Sequence, residues 1–187
     1  KAVAIRRARY GELCVVELAG GGFIAAVCIK RELHIGGFAV NVNGIIGERL
    51  FGSTERFQRI GLSAHFLVGH VGDIHQCQDA AFELIIDGSC LHCLIDDARS
   101  RCFAEVRRLL KPGGRFVVGS TCGTPRYAED RAAYHAAKHH LLKNGQPWRT
   151  LRPLPALINE LREAQFDVLA TRVNSNPWWD HATLVCS

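Results

Sequence analysis

The sequence predicts an α/β protein built on a doubly wound, mostly parallel sheet of seven strands, with helices on both faces and an antiparallel hairpin at its C-terminal edge. Strand-length apolar runs alternate with longer helical segments along most of the chain. Such alternation builds parallel sheets with right-handed crossovers. The last two apolar runs, Phe166 to Val173 and His181 to Cys186, have no helix between them. Two strands joined that closely pair antiparallel.

The elements follow in order. Leu13 to Leu18 is an apolar run that stops at Gly20-Gly21-Gly22, a buried strand feeding a glycine turn. Phe23 to Leu33, apolar around most of its circumference, reads as a helix packed on a sheet. Phe38 to Val42 is a second strand, Gly47 to Ile60 a helix and Ala64 to Val68 a third strand. Phe82 to Ile86 is a fourth strand, whose unbroken Leu/Ile run predicts burial on both faces. Asp97 to Lys111 is an amphipathic helix with Phe103, Val106, Leu109 and Leu110 on one side. Pro112-Gly113-Gly114 ends it, and Arg115 to Ser120 is the fifth strand. A polar helix is predicted over Arg126 to Lys143 and a shorter one over Leu154 to Ala164.

Composition narrows the function classes. The 187 residues, 48% apolar and 22% charged, suit a single globular domain over 1–187 and exclude collagen, coiled coil and wholesale disorder. No apolar run reaches the ~18 residues of a membrane span. The net charge of +5 forms no basic stripe, so no nucleic-acid partner is expected. Eight cysteines without a signal peptide read as reduced, mostly buried thiols of a cytoplasmic protein. The chain opens at Lys1 and contains no methionine, so residues preceding it are expected.

In an open α/β sheet, ligands bind beyond the carboxyl ends of the strands. That places the candidates at Glu17 to Gly22, Asn43-Gly44, Gly69 to Asp73, Asp87 to Cys93, Ser120 to Thr124 and Asn174 to Asp180. Glycines 20–22 permit close backbone approach, and a following helix N-terminus offers free N–H groups. Gly20 to Ala25 also fits the G-x-G-x-x-A dinucleotide pattern. A tight turn without any ligand needs the same glycines, and Asn43 stands where a nicotinamide site wants an acid.

A more specific signal lies in Phe82-Glu83-Leu84-Ile85-Ile86-Asp87-Gly88-Ser89-Cys90-Leu91-His92 followed by Arg108-Leu109-Leu110-Lys111-Pro112-Gly113-Gly114-Arg115-Phe116-Val117-Val118. This pair of segments resembles the class I S-adenosylmethionine-dependent methyltransferases, with their "FDLIID…LH" strand and "RxLKPGGxFxV" helix end. The resemblance implies strand order 3-2-1-4-5-7-6, S-adenosylmethionine as cofactor and a small or medium-sized methyl acceptor. It places cofactor contacts at Glu17, Ala19, Gly20, Gly21, Asn43, Gly44, His70, Val71, Asp87, Gly88 and Cys90. The N-terminal half departs from the family pattern. Against E/D-x-G-x-G-x-G the row reads Glu17-Leu18-Ala19-Gly20-Gly21-Gly22-Phe23, so only Gly21 keeps the spacing. Asn43 replaces the ribose-holding acid, and His70 takes the position of the acid that meets adenine, with Asp73 three residues on. These departures motivate the alternative of an inactive, methyltransferase-like binding or scaffold domain. A nicotinamide oxidoreductase is a third reading, against which the Lys-Pro-Gly-Gly segment argues.

Methyl transfer from a sulfonium needs a general base only when the acceptor loses a proton. His92, past the fourth strand, is the candidate, and a structural histidine is its alternative role. Cys90-Leu91-His92-Cys93 has no second ligand pair for zinc, and no metal is expected. His135 and His139, spaced i, i+4, read as neighbours on a solvated helix face. Trp178-Trp179 either lines an apolar acceptor site or packs the hairpin edge. The predicted helix 126–143 is a solvated face or a lid.

Overall fold

The structure, a computed structural model, describes residues 71–75 and 77–187, together with the backbone of three strands before them. Those strands are β1 (Leu13–Ala19), β2 (Cys28–Ile29) and β3 (Ile35–Gly36). The strands expected at 38–42 and 64–68 and the helix at 47–60 lie outside the described residues.

The centre of the fold is β4 (Phe82–Gly88), helix α1 (Asp97–Leu109) and β5 (Leu110–Cys122). β4 runs parallel to β1 on one side and to β5 on the other. Beyond β5 come β10 (Asp180–Cys186) and β9 (Val168–Ser175), both antiparallel to their neighbours. The expected terminal hairpin is therefore present, and the sheet reads β3-β2-β1-β4-β5-β10-β9.

The period of two along these strands explains the layering. Phe116, Val118 and Ser120 of β5 are buried, as are Ala182, Leu184 and Cys186 of β10. These side chains point to one face of the sheet. Against that face pack Phe103, Val106 and Leu109 of α1 and Leu157 and Leu161 of α3 (Leu154–Glu163). Phe166 sits between the layers, its ring 5.2 Å from that of Phe116 and 6.2 Å from that of Phe103. Burial of this apolar surface is the main source of stability. On β4, Phe82 and Ile85 are buried while Leu84 and Ile86 are half-buried.

Proline and glycine set the junction between α1 and β5. Lys111, preceding Pro112, is driven out of helical geometry, and Gly113 turns the chain at φ 75°. The surplus residues form a bulge: Phe82 pairs with Leu110, but Leu84 pairs with Arg115.

Two expectations are corrected. Cys28–Ile29 pairs antiparallel with Leu13 and Cys14, inside the stretch expected to be helical from 23 to 33. An unbroken apolar run does not distinguish strand from buried helix, and β-branched Ile24, Val27 and Ile29 favour extended backbone. The predicted helix over 126–143 is replaced by a short helix α2 (Ala128–Ala132) and a small antiparallel sheet. That sheet comprises β6 (Tyr134–His135), β7 (His140–Lys143) and β8 (Gln146–Thr150). Asn144 and Gly145 both have positive φ, 53° and 75°, and close a two-residue hairpin between Lys143 and Gln146. Buried Leu141 and Leu151 anchor the small sheet, a gain that a polar helix would forgo.

Candidate active site

Strand direction gathers one edge of the sheet. Ala19 ends β1 opposite Gly88 of β4, and Asp180 opens β10 opposite Cys122 of β5. The carboxyl ends of three parallel strands therefore meet the β9–β10 loop, as the sequence suggested for Trp178 and Trp179. The small sheet lies on the same edge. The Thr150 hydroxyl donates to the carbonyl of Leu94 at 2.9 Å, and the Gly123 N–H donates to the carbonyl of Arg152 at 2.8 Å.

Asp87 organises the turn after β4. Its Oδ1 accepts from the backbone N–H of Cys90 at 2.7 Å and of Leu91 at 3.1 Å, capping a 3-10 turn over Leu91–Cys93. Burial pushes the Asp87 carboxyl up to about 7, and those N–H bonds oppose the rise. Its Oδ2 is buried without a partner among the described residues. Such an orphaned acceptor suits a ligand that brings a hydrogen-bond donor or a positive charge.

Ser89 follows with φ 72°, a left-handed conformation uncommon for a residue with a Cβ. Its Oγ lies 3.1 Å from His181 Nε2 at the start of β10. Cys90 is buried, and burial raises its thiol well above the usual range, so it is inert rather than nucleophilic. His92 is 6% exposed with no partner for Nδ1 among the described residues. Burial, then the nearby Arg149 cation, lowers its ring to about 3. The imidazole is neutral at physiological pH, able to accept a hydrogen bond but weak as a base.

Of the other sequence-derived positions, Val71 is fully buried in the core. Neighbouring Ile74 donates its N–H to Glu105 of α1 at 2.7 Å. Asp73 is exposed and lies 3.3 Å from His75. Glu17 and Ala19 are placed by their backbone in β1, and Gly88 ends β4. Gly20, Gly21, Asn43, Gly44 and His70 fall outside the described residues. His135 lies in β6 and His139 at φ 55° before β7, so the expected shared helix face does not exist. No group of three or more potential metal ligands occurs among the described residues.

The architecture has close structural counterparts. A SAM-dependent methyltransferase from Methanosarcina mazei superposes with TM-score 0.67 at 17% identity, over 95% of this chain and 93% of that one. The 1,6-didemethyltoxoflavin-N1-methyltransferase of Burkholderia thailandensis gives 0.64 at 20% identity, over 94% and 71%. Residues 46–118 match the family model described as a methyltransferase domain. That match covers less than half of the chain, and the solved counterparts share its fold. The sheet is accordingly of the α/β, Rossmann-like kind. The cyclase SpnF is also similar, with TM-score 0.57 and 16% identity over 80% of this chain and 64% of that one. No curated protein matches the sequence significantly. No described helix is long and apolar enough to cross a membrane.

Sequence reasoning missed three features of the candidate site: Ser89 with His181, the Arg149 cation, and Arg99. The Asn144-Gly145 dipeptide, a hairpin signal, would have placed Arg149 on a strand. Nothing local signalled the Ser89–His181 pair, which is separated by 92 positions.

Proposed function

We propose that this protein is a methyltransferase that moves a methyl group from S-adenosylmethionine to a small or medium-sized acceptor at the carboxyl edge of the sheet. The observation that carries the reading is the pairing of Ala19 with Gly88. It brings the exit of β1, and with it the start of the glycine stretch, beside the turn capped by Asp87. In this reading Glu17, Ala19, Gly20, Gly21 and Gly44 line the donor. Asn43 meets the ribose, His70 and Val71 flank the adenine, and Asp87, Gly88 and Cys90 close the other side. The strands expected at 38–42 and 64–68, which would complete the order 3-2-1-4-5-7-6, lie outside the described residues. β2 pairs only with Leu13 and Cys14, so among the described residues the rest of that β1 edge is unpaired.

S-adenosylmethionine, when bound, supplies a methyl group already activated on a positively charged sulfur. The protein's work is then alignment and exclusion of water. The capped turn fixes Ser89 and His92, and the β9–β10 loop closes the far side. A ring with its conjugate acid near 3 holds a proton poorly. His92 therefore accepts a hydrogen bond from the acceptor rather than storing its proton, which leaves toward His181 or water.

A second reading, a methyltransferase-like module without turnover, is motivated by Asn43 and His70, which stand where the family pattern carries acids. Calorimetric titration with S-adenosylmethionine, S-adenosylhomocysteine and NADPH separates the readings. Micromolar binding of the first two, without NADPH binding, is the expected result. A folded protein that binds none of them overturns the proposal.

A further inference from the structure

All three tryptophans of the chain gather at one corner of the carboxyl edge. Trp148 projects from β8, while Trp178 and Trp179 come from the β9–β10 loop with their rings 6.5 Å apart. Between the two elements lies Arg149, its guanidinium carbon 4.3 Å from the Trp148 ring centre and 5.9 Å from that of Trp179. Lys143 adds a second cation 5.9 Å from the Trp148 ring.

Two features show this corner to be incomplete. Neither Arg149 nor Lys143 has a carboxylate partner among the described residues, although two cations sharing one indole repel each other. The Arg149 Nε is also buried with no hydrogen-bond partner among those residues. A buried donor without an acceptor is rare in native proteins. The field of Arg149 reaches His92, whose own Nδ1 is unpartnered, so the corner adjoins the turn after β4.

We infer that this corner is the acceptor subsite, and that Arg149, stacked against Trp148 and Trp179, selects an acceptor combining a flat ring with a carboxylate-like anion. A guanidinium stacked on indole keeps its N–H edge free, and that edge matches a carboxylate in two parallel bonds. The exposed faces of Trp148 and Trp178, 39% and 43% accessible, offer the ring a stacking surface. The anion would separate the two cations and satisfy Nε, whereas a neutral ring would do neither. The assignment of the corner to the acceptor rests on the methyl-transfer reading; its preference for an aromatic anion does not.

Because every tryptophan lies here, tryptophan fluorescence, excited where tyrosine does not absorb, reports this corner alone. Titration with 4-nitrobenzoate, a contact quencher, is compared with neutral 4-nitrobenzamide in the wild type and in Arg149→Gln and Arg149→Lys. The acid is expected to bind at least about tenfold more tightly than the amide. Arg149→Gln should abolish that preference while keeping its melting temperature, and Arg149→Lys should restore part of it. Equal affinity for acid and amide, or an Arg149→Gln variant that still prefers the acid, overturns the inference. So does oligothymidylate binding that outcompetes the acid, since it would mark a nucleic-acid surface. S-adenosylhomocysteine is titrated in parallel by calorimetry. Acid-selective quenching in a protein that ignores this ligand would support the anion subsite while sinking the methyl-transfer reading.

Discussion

Arg99, sealed inside the protein at 2% exposure, donates to both carboxylate oxygens of Glu160, through Nε at 2.7 Å and Nη2 at 2.5 Å. Its remaining arm donates to the carbonyl of Leu91 at 2.5 Å. One side chain thus ties α1 to α3 and to the turn that carries His92.

Removing one partner of a buried pair leaves a charge without compensation. Glu160→Ala is therefore expected to destabilise the fold by about 3–5 kcal/mol, seen as a lower urea midpoint. A loss below about 1 kcal/mol, the range of an exposed ion pair, would show that water reaches Arg99.

Asp87 gives a pH prediction with a definite sign. Burial raises its carboxyl from 3.8 to about 7, so the folded state holds a proton that the unfolded chain releases earlier. Its contribution is complete below pH about 4 and is lost as pH rises through 7. Asp87→Asn keeps an acceptor for the Cys90 and Leu91 N–H groups but has no proton to lose. Relative to the wild type, it should gain on the order of 2–4 kcal/mol between pH 4 and 7. A constant difference across that range, in urea titrations, would contradict the buried carboxyl.

Gly119 is required by close backbone approach. A Cβ built there would stand 2.9 Å from the carbonyl oxygen of Asp87 on the neighbouring strand. Backbone cannot yield as a flexible side chain would, so Gly119→Ala should cost about 1–3 kcal/mol. The melting temperature would fall by roughly 2–4 °C per kcal/mol in a chain of this size. An unchanged melt would show that β4 and β5 stand further apart.

The hairpin of Asn144 and Gly145 predicts a local effect. Gly145→Ala has open space around it but keeps φ at 75°, a conformation that penalises a Cβ. Faster amide exchange is expected in β7 and β8 and unchanged exchange in β4 and β5. Acceleration across both sheets would show that they open as one unit.

Asn43→Asp tests the proposed ribose position. A carboxylate accepts from both ribose hydroxyls, whereas an amide offers only one acceptor group, so cofactor binding should tighten several-fold. Unchanged calorimetric affinity would remove Asn43 from the site.

The legible part of the fold was the part held by apolar periodicity. Phe82 to Val118 showed a strand, an amphipathic helix and a proline-glycine stop, because each signal was local and sufficient. Residues 126–143 were misread because alanine, lysine and arginine favour a helix while the decisive turn that follows occupies only Asn144 and Gly145. The site followed the same division. Asp87 and His92 were found from their place after a strand. Arg149 was not, because it sits on β8, a strand to which the sequence reading assigned no element. Ser89 and His181 meet only through the order of β4, β5 and β10, which a local pattern does not encode.

The buried thiols of Cys90, Cys102, Cys122 and Cys186 carry one last consequence. Burial holds Cys122 and Cys186 near 11 and the other two higher. An alkylating reagent meets them only when the interior opens, so labelling rates would clock how often each layer breathes, read by mass spectrometry without introducing a single probe.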